Sequence, residues 1–406
     1  MPPARLSLPE FIALMAMMFA IVAFSIDAML PALPEIAETL TPADPNRAQL
    51  VVTSFVLGMG VGTFFTGPLS DALGRKPVIM GGFALYVAAA GLAAVAVSLE
   101  MLLAARFVMG LGAAAPRVVT LAVVRDLFAG RRMAQIMSFV MMVFTLIPAL
   151  APLVGAGMIA VGGWRAIFVA FMAFGLVAPL WMSVRLAEPL APEMRRPFRP
   201  GALAAALAEV ALHPMVRLAI VVQGLAFGQM FSMLVSVQPV YDVTFGRAES
   251  FPFWFGAIAV AAGSATLLNA LLVMRLGMRF LITAALAGQC LIAGAMIAVS
   301  LAAPPEPVFF ALFVVWQASL FFQVGLTLGN INAMALEPMG HIAGFASSIV
   351  GALATVMAVL LAVPVGLMFD GTPLPLAVGI FTMASAALAL MLYLRRVEAR
   401  AAAAEA

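Results

Sequence analysis

Twelve stretches of about twenty mainly apolar residues follow one another along the chain, at 11–33, 48–69, 78–98, 101–124, 136–161, 166–184, 216–241, 252–274, 280–301, 307–331, 343–368 and 374–394. A helix that crosses a bilayer needs roughly 20 such residues. Inside lipid every backbone N–H and C=O must be paired within the segment, so runs of this length are expected to be helices. The chain is therefore an all-α membrane protein with twelve transmembrane helices. Composition agrees, because 65% apolar and 10% charged residues leave too little polar surface to cover a soluble domain.

The first stretch exceeds a signal-peptide core and runs into Leu30-Pro31-Ala32-Leu33-Pro34 without a clear cleavage site, so it is expected to be retained. With the N-terminus inside, 16 of the 21 Lys and Arg residues fall in cytoplasmic segments, from Arg5 through Arg75 and Lys76 to Arg400; Arg47, Arg165 and Arg247 fall outside. Cytoplasmic loops concentrate such residues, so both termini are expected in the cytoplasm. The net charge of +3 is spread over many short loops, which argues against nucleic acid as a partner. Cys290 is the lone cysteine, and His213 and His341 stand far apart, so neither a disulfide nor a metal site is supported. No Gly-rich Lys-Ser/Thr nucleotide loop occurs, which leaves a proton gradient as the energy source and no cofactor.

The longest break in hydrophobicity, Arg185 to His213, divides six spans from six. It sets the expected organisation: an N-terminal six-helix bundle at 1–190, a cytoplasmic linker at 191–214 and a C-terminal six-helix bundle at 215–406. Within the linker, 201–212 has the composition of a short interfacial helix. Offsetting the chain by half its 406 residues lays Leu73-Gly74 on Leu276-Gly277 and Arg75-Lys76 on Met278-Arg279, as expected of parallel repeats.

Three charges lie at membrane depth. Asp27 is about six residues from the outer end of the first span, and Arg106 about five from the outer end of the fourth, which runs the opposite way, so the two share a depth. A charge near the bilayer centre costs at least ~2.5–3.5 kcal/mol and normally faces a partner or a wet cavity. Asp27 and Arg106 are accordingly expected to form or approach a pair, either one that opens on protonation of Asp27 or a static structural one. Arg117 follows Arg106 by 11 residues, which returns it to within about 20° of the same helix face, some 16 Å deeper. It either snorkels or pairs with an acid such as Asp126, or it receives an anionic substrate, and Pro116 is expected to kink the helix beside it.

The loop Gly67-Pro68-Leu69-Ser70-Asp71-Ala72-Leu73-Gly74-Arg75-Lys76-Pro77-Val78 closely resembles the signature of the major facilitator superfamily. Phe24-Ser25-Ile26-Asp27-Ala28-Met29-Leu30-Pro31-Ala32-Leu33-Pro34, Arg106-Phe107-Val108-Met109-Gly110-Leu111-Gly112, Val124-Arg125-Asp126-Leu127-Phe128 and Pro148-Ala149-Leu150-Ala151-Pro152-Leu153-Val154-Gly155-Ala156-Gly157 are similar to motifs of its Bcr/CflA-type drug:proton antiporters. Gly163-Trp164-Arg165, Gly329-Asn330-Ile331-Asn332 and the run 343–348 extend the likeness over nearly the whole chain. Met109, standing where a Gln is usual, and Pro116-Arg117 depart from the pattern. The resemblance implies the two-bundle fold, a bacterial inner-membrane location and multidrug efflux. It also implies a cytoplasmic gate latched by Gly67, Asp71, Gly74, Arg75, Lys76 and Asp126, and an antiporter helix with Pro148, Pro152 and Gly155, while proton coupling at Asp27 and Arg106 is the expectation from their shared depth.

Polar residues at helical spacing sketch a cavity wall in the second half: Trp316, Ser319, Gln323, Thr327 and Asn330 in the tenth span, and Gln223, Phe227, Met230, Phe231, Leu234 and Gln238 in the seventh. Either stripe serves as a pocket wall or as interhelical glue. From the first half the expected cavity takes Phe24, Met109, Gly110, Ala113, Arg117 and Met141, the flexible methionines suiting ligands of several shapes. The expected partners are an amphipathic small molecule, protons and the lipid bilayer, with the protein a monomer. The leading expectation is a proton-coupled exporter working by alternating access. A metabolite exporter or symporter of the same fold is the alternative, and a sensor or enzyme is disfavoured for want of a catalytic cluster.

Overall fold

A computed structural model describes the backbone of residues 6–405. Arg5 of the basic tally, and the Arg400 side chain, lie outside the described residues. The elements are α1 (Leu8–Asp27), α2 (Leu33–Leu40), α3 (Leu50–Leu73), α4 (Arg75–Ala94), α5 (Leu99–Leu127), α6 (Gly130–Arg185), α7 (Pro200–Leu212), α8 (Pro214–Pro239), α9 (Phe251–Leu276), α10 (Met278–Ala302), α11 (Glu306–Leu336), α12 (Ala343–Leu367) and α13 (Leu374–Glu405). Short helical turns join several of them, and the described residues contain no strand.

Among the described residues, ten helical stretches are long and apolar enough to cross a membrane. Two are of double length, Gly130–Arg185 with 56 residues and Glu306–Leu367 with 62. The first breaks at Gly162 (φ −152°, ψ 24°) and Gly163 (φ 66°, ψ −173°). The second passes through the turn Glu337–Ile342, where Met339 leaves helical geometry. Divided at those breaks, the ten become the twelve that hydropathy marks.

Local signals account for the ends that matter. Ser98 Oγ accepts from Met101 N (3.2 Å) at the start of α5, the N-cap that an orphan first-turn donor needs. Helix α1 stops at Asp27 and gives way to a 3₁₀ turn at Leu30–Ala32. Pro31 has no N–H, so the Asp27 carbonyl loses its normal i+4 donor there.

The chain forms two compact units, one running through Ala208 and taking in Gly344–Ala352, the other made of Glu209–Ala343 and Leu353–Ala406. In the first, α3 and α4 pack on α5, α4 also on α6, and α1 on α6 and α5. In the second, α10 packs on α13 and α11, α11 on α9, and α8 on α11 and α13. Lipid supplies no hydrophobic drive for helix association, so small residues that admit close approach carry the packing. Gly58 lies against the Phe107 carbonyl and Gly110 against that of Phe55, with no room for a Cβ at either. Gly110 is thus a packing residue of the α3–α5 seam, a correction to its expected place in a cavity wall.

Candidate functional site

The loop between α3 and α4 turns at Gly74, whose φ of 106° and ψ of 160° suit glycine. That turn places Arg75, only 4% exposed, at the first position of α4. Its Nε donates to Asp126 Oδ2 at 2.7 Å, and its Nη1 donates to Ser70 Oγ at 2.7 Å and to Asp71 Oδ1. A planar five-donor fork can hold two acids from different helices in this way. Lys76 Nζ donates to the carbonyls of Ser183 (2.8 Å) and Leu186 (2.9 Å), so its charge caps the end of α6. Gly67 lies beside Ser348 of α12, where a Cβ would stand 2.9 Å from the serine Oγ.

Sequence reasoning missed Glu188 in this network. Its carboxylate accepts from the backbone N–H of Arg75 (2.8 Å), Lys76 (2.9 Å) and Leu190 (3.0 Å), capping α4 from 112 residues away. Beyond it, Arg196 N donates to the Asp71 carbonyl at 2.9 Å. An acid just past the sixth apolar run and ahead of Pro189 was the available signal.

Asp27 is buried at the last position of α1, where the helix breaks. The expected ion pair is not formed among the described residues. Arg106, with no exposed surface, donates from Nη2 to the Ser25 carbonyl (3.0 Å) and from Nε to the Val51 carbonyl (3.0 Å). Its guanidinium lies 4.4 Å from the centroid of the Phe55 ring, a favourable placement for a desolvated cation. The physical reason is the break itself: Met29 N turns back to Ile26 O (3.2 Å), leaving the Ser25 carbonyl for Arg106. Arg106 Nη1 is buried with no hydrogen-bond partner. Ser25 Oγ lies 2.6 Å from Tyr86 OH, and neither residue was singled out from sequence.

Arg117 Nη1 donates to Met59 Sδ at 3.3 Å. It is not paired with Asp126, whose carboxylate Arg75 holds. Helix α5 continues through Pro116. In α6 the dihedrals stay helical through Pro148 and Pro152, and the chain breaks at Gly162–Gly163 instead. Gly155 sits against the Ala28 backbone, so the expected antiporter helix meets α1 next to Asp27. Phe24 is half-buried and packs edge-on to Phe171 (5.4 Å) and against Phe174 (5.6 Å). Met109 and Ala113 have no exposed surface, whereas Met141 is 37% exposed.

In the second unit, Gln223 is buried with Oε1 unbonded, Phe227 and Met230 are half-buried, and Phe231 is buried against the Phe227 ring at 6.1 Å. Trp316 is buried with its Nε1 unbonded and packs on Phe313 at 5.7 Å. Ser319 turns back to the Trp316 carbonyl (2.7 Å), and Gln323 Nε2 donates to Thr327 Oγ1 (3.2 Å). Asn330 donates to Asn269 Oδ1 at 2.7 Å, which makes that end of the stripe a link between α11 and α9.

A sequence model described as Major Facilitator Superfamily matches residues 15–362. The chain belongs to that superfamily. A bicyclomycin resistance protein homolog of Haemophilus influenzae is 30% identical over 349 residues, spanning 84% of this chain and 85% of the relative. A chloramphenicol resistance protein of Pseudomonas aeruginosa is 36% identical over 175 residues, 43% of this chain and 41% of the relative. The crystal structure of a D-xylose-proton symporter superposes with a TM-score of 0.74 at 13% identity, covering 94% of this chain and 97% of the other, and so shares the fold. The likeness to Bcr/CflA-type transporters seen in the motifs thus extends over 84% of the chain, and the protein is a multi-pass membrane transporter, not an enzyme.

Proposed function

We propose that this superfamily member exports amphipathic, drug-like molecules from the cytoplasm in exchange for protons, with Asp27 as the group that takes up and releases the proton. The observation that carries the reading is the break in α1: a buried carboxyl stands where the helix ends, two residues from the carbonyl that Arg106 holds. The free Nη1 of Arg106 gives the acid a cation to turn to when it is ionised. The resistance proteins among its relatives support a drug as cargo. In this scheme the protein sits in the bacterial inner membrane with both termini in the cytoplasm, and the bundles at 1–190 and 215–406 alternate access around the substrate. The Arg75 network latches the cytoplasmic side. Each proton entering down 100 mV contributes ~2.3 kcal/mol to export.

Proteoliposomes with an imposed pH gradient test this. Wild-type protein is expected to accumulate a cationic dye or another amphipathic drug against its gradient, and Asp27→Asn is expected to abolish uphill accumulation while still binding the compound. Undiminished uphill accumulation by Asp27→Asn would refute the coupling role.

A further inference from the structure

We infer that Tyr86 is a positioning residue for coupling: its hydroxyl, through Ser25, fixes the break in α1 that presents Asp27. The inference rests on Asp27 being the coupling acid. Ser25 has one hydroxyl hydrogen, and its Oγ lies 2.6 Å from the Ile21 carbonyl, an acceptor only. Ser25 therefore donates to Ile21, and Tyr86 OH donates to Ser25 Oγ across 2.6 Å. The same serine gives its carbonyl to Arg106 Nη2 at 3.0 Å. One residue of α1 is thus gripped by α4 at its side chain and by α5 at its backbone, two positions before the acid.

Packing makes Tyr86 the fixed member. It is 1% exposed. A Cβ at Gly112 of α5 would fall 2.8 Å from Tyr86 N, and one at Gly175 of α6 would fall 3.0 Å from Tyr86 Cδ1, so both neighbours lie against it without side chains. A phenylalanine would fill that space without needing a partner, so packing alone does not call for the hydroxyl. A buried phenol needs a hydrogen bond, and this one is spent on the residue whose carbonyl Arg106 also takes. The charged and titratable groups around the break are Asp27 itself, Arg106 from α5 and Tyr86 from α4. Helix α3 contributes the Val51 carbonyl and the Phe55 ring, and α6 contributes Phe171 and Gly155.

The test compares Tyr86→Phe, Ser25→Ala, the double variant and Asp27→Asn in proteoliposomes, reading dye binding, downhill flux and uphill accumulation across external pH. Tyr86→Phe and Ser25→Ala are each expected to cut uphill accumulation about tenfold and displace its pH profile, with dye binding within twofold of wild type. The double variant is expected to be no worse than either single one, because both remove the same bond. Wild-type accumulation and pH profile in Tyr86→Phe, beside an inactive Asp27→Asn, would overturn the positioning role and leave the coupling reading standing. Continued uphill accumulation by Asp27→Asn would bring down the coupling reading itself. Additive losses in the double variant would also count against a shared path.

Discussion

The turns at Gly74 and Gly277 occupy equivalent places in the two halves and share one backbone conformation, φ 106° and ψ 160° against φ 80° and ψ 154°. Each ends one spanning helix and begins the next. Their charged side chains differ. At the half-chain offset, Asp71, Arg75, Asp126 and Glu188 correspond to Met274, Met278, Gly329 and Met391. The first turn holds a buried cation between two acids, whereas at the second Arg275 and Arg279 are exposed and Met274 is 88% exposed. The two turns share a backbone, and each is followed by basic residues, Arg75 and Lys76 in one and Arg279 in the other. In the first half that basic character is held between acids from two helices.

Removing Arg75 should separate the two turns most. Arg75→Ala leaves Asp71 and Asp126 without their cation, and breaking a buried pair costs about 3–5 kcal/mol. The lower end applies, since Asp71 is 37% exposed and partly screened. Thermal unfolding of the detergent-purified protein should show a clear drop in Tm and export should fail, while Met278→Ala should leave both near wild type. Arg75→Lys should recover little, because an ammonium cannot span both acids as the fork does. Equal effects at positions 75 and 278 would break the comparison.

Alanine at the two glycines sharpens it further. Both conformations lie in a region nearly confined to glycine, so each substitution should cost about 1–3 kcal/mol of backbone strain. At Gly277 nothing lies within 4 Å of the added Cβ, so Gly277→Ala measures that strain alone. At Gly74 the Cβ would stand 2.9 Å from Glu188 Oε2 and 3.1 Å from its Cδ, and the cap must shift as well. Gly74→Ala should therefore unfold at a lower denaturant or temperature midpoint than Gly277→Ala, and it alone should impair export.

What the sequence made legible follows from what is local. The spans came from composition over about twenty residues, and the gap between 161 and 166, with its Gly163-Trp164-Arg165 stretch, falls where one double-length helix divides. Asp71 and Arg75 are four residues apart and could be paired by inspection. Asp126 is 51 residues from Arg75 and took part through a tertiary contact, so it was offered to Arg117 as readily. Depth arithmetic brought Asp27 and Arg106 to one level but could not foresee that Arg106 holds the Ser25 and Val51 carbonyls, because a freed backbone carbonyl leaves no mark in side-chain pattern. Pro31, four residues after Asp27, marks the end of the helix but removes the donor of the Asp27 carbonyl, not that of Ser25. Ser25 stood in a family-like stretch without a role of its own, Tyr86 carried no signal beyond being polar in an apolar run, and Gly110 looked like open space where it is close contact.

The smallest expected effect belongs to Glu188, and it isolates the cap from the ion pairs. Glu188→Gln keeps an oxygen for one of the amides of Arg75 and Lys76 but removes the charge at the α4 N-terminus, where a carboxylate contributes about 0.3–1 kcal/mol beyond a neutral acceptor. Arg75 retains both acids in this variant, so stability should fall by about 1 kcal/mol at most. Met391, the counterpart of Glu188, is buried and makes no such cap, so Met391→Leu serves as a packing control of similar volume. If the cap anchors the chain leaving α6, whose Arg196 N–H reaches the Asp71 carbonyl, limited proteolysis of the segment 191–199 should be faster in Glu188→Gln than in wild type and unchanged in Met391→Leu. Equal cleavage in all three would assign the hold on that segment to Asp71 and Arg196 alone.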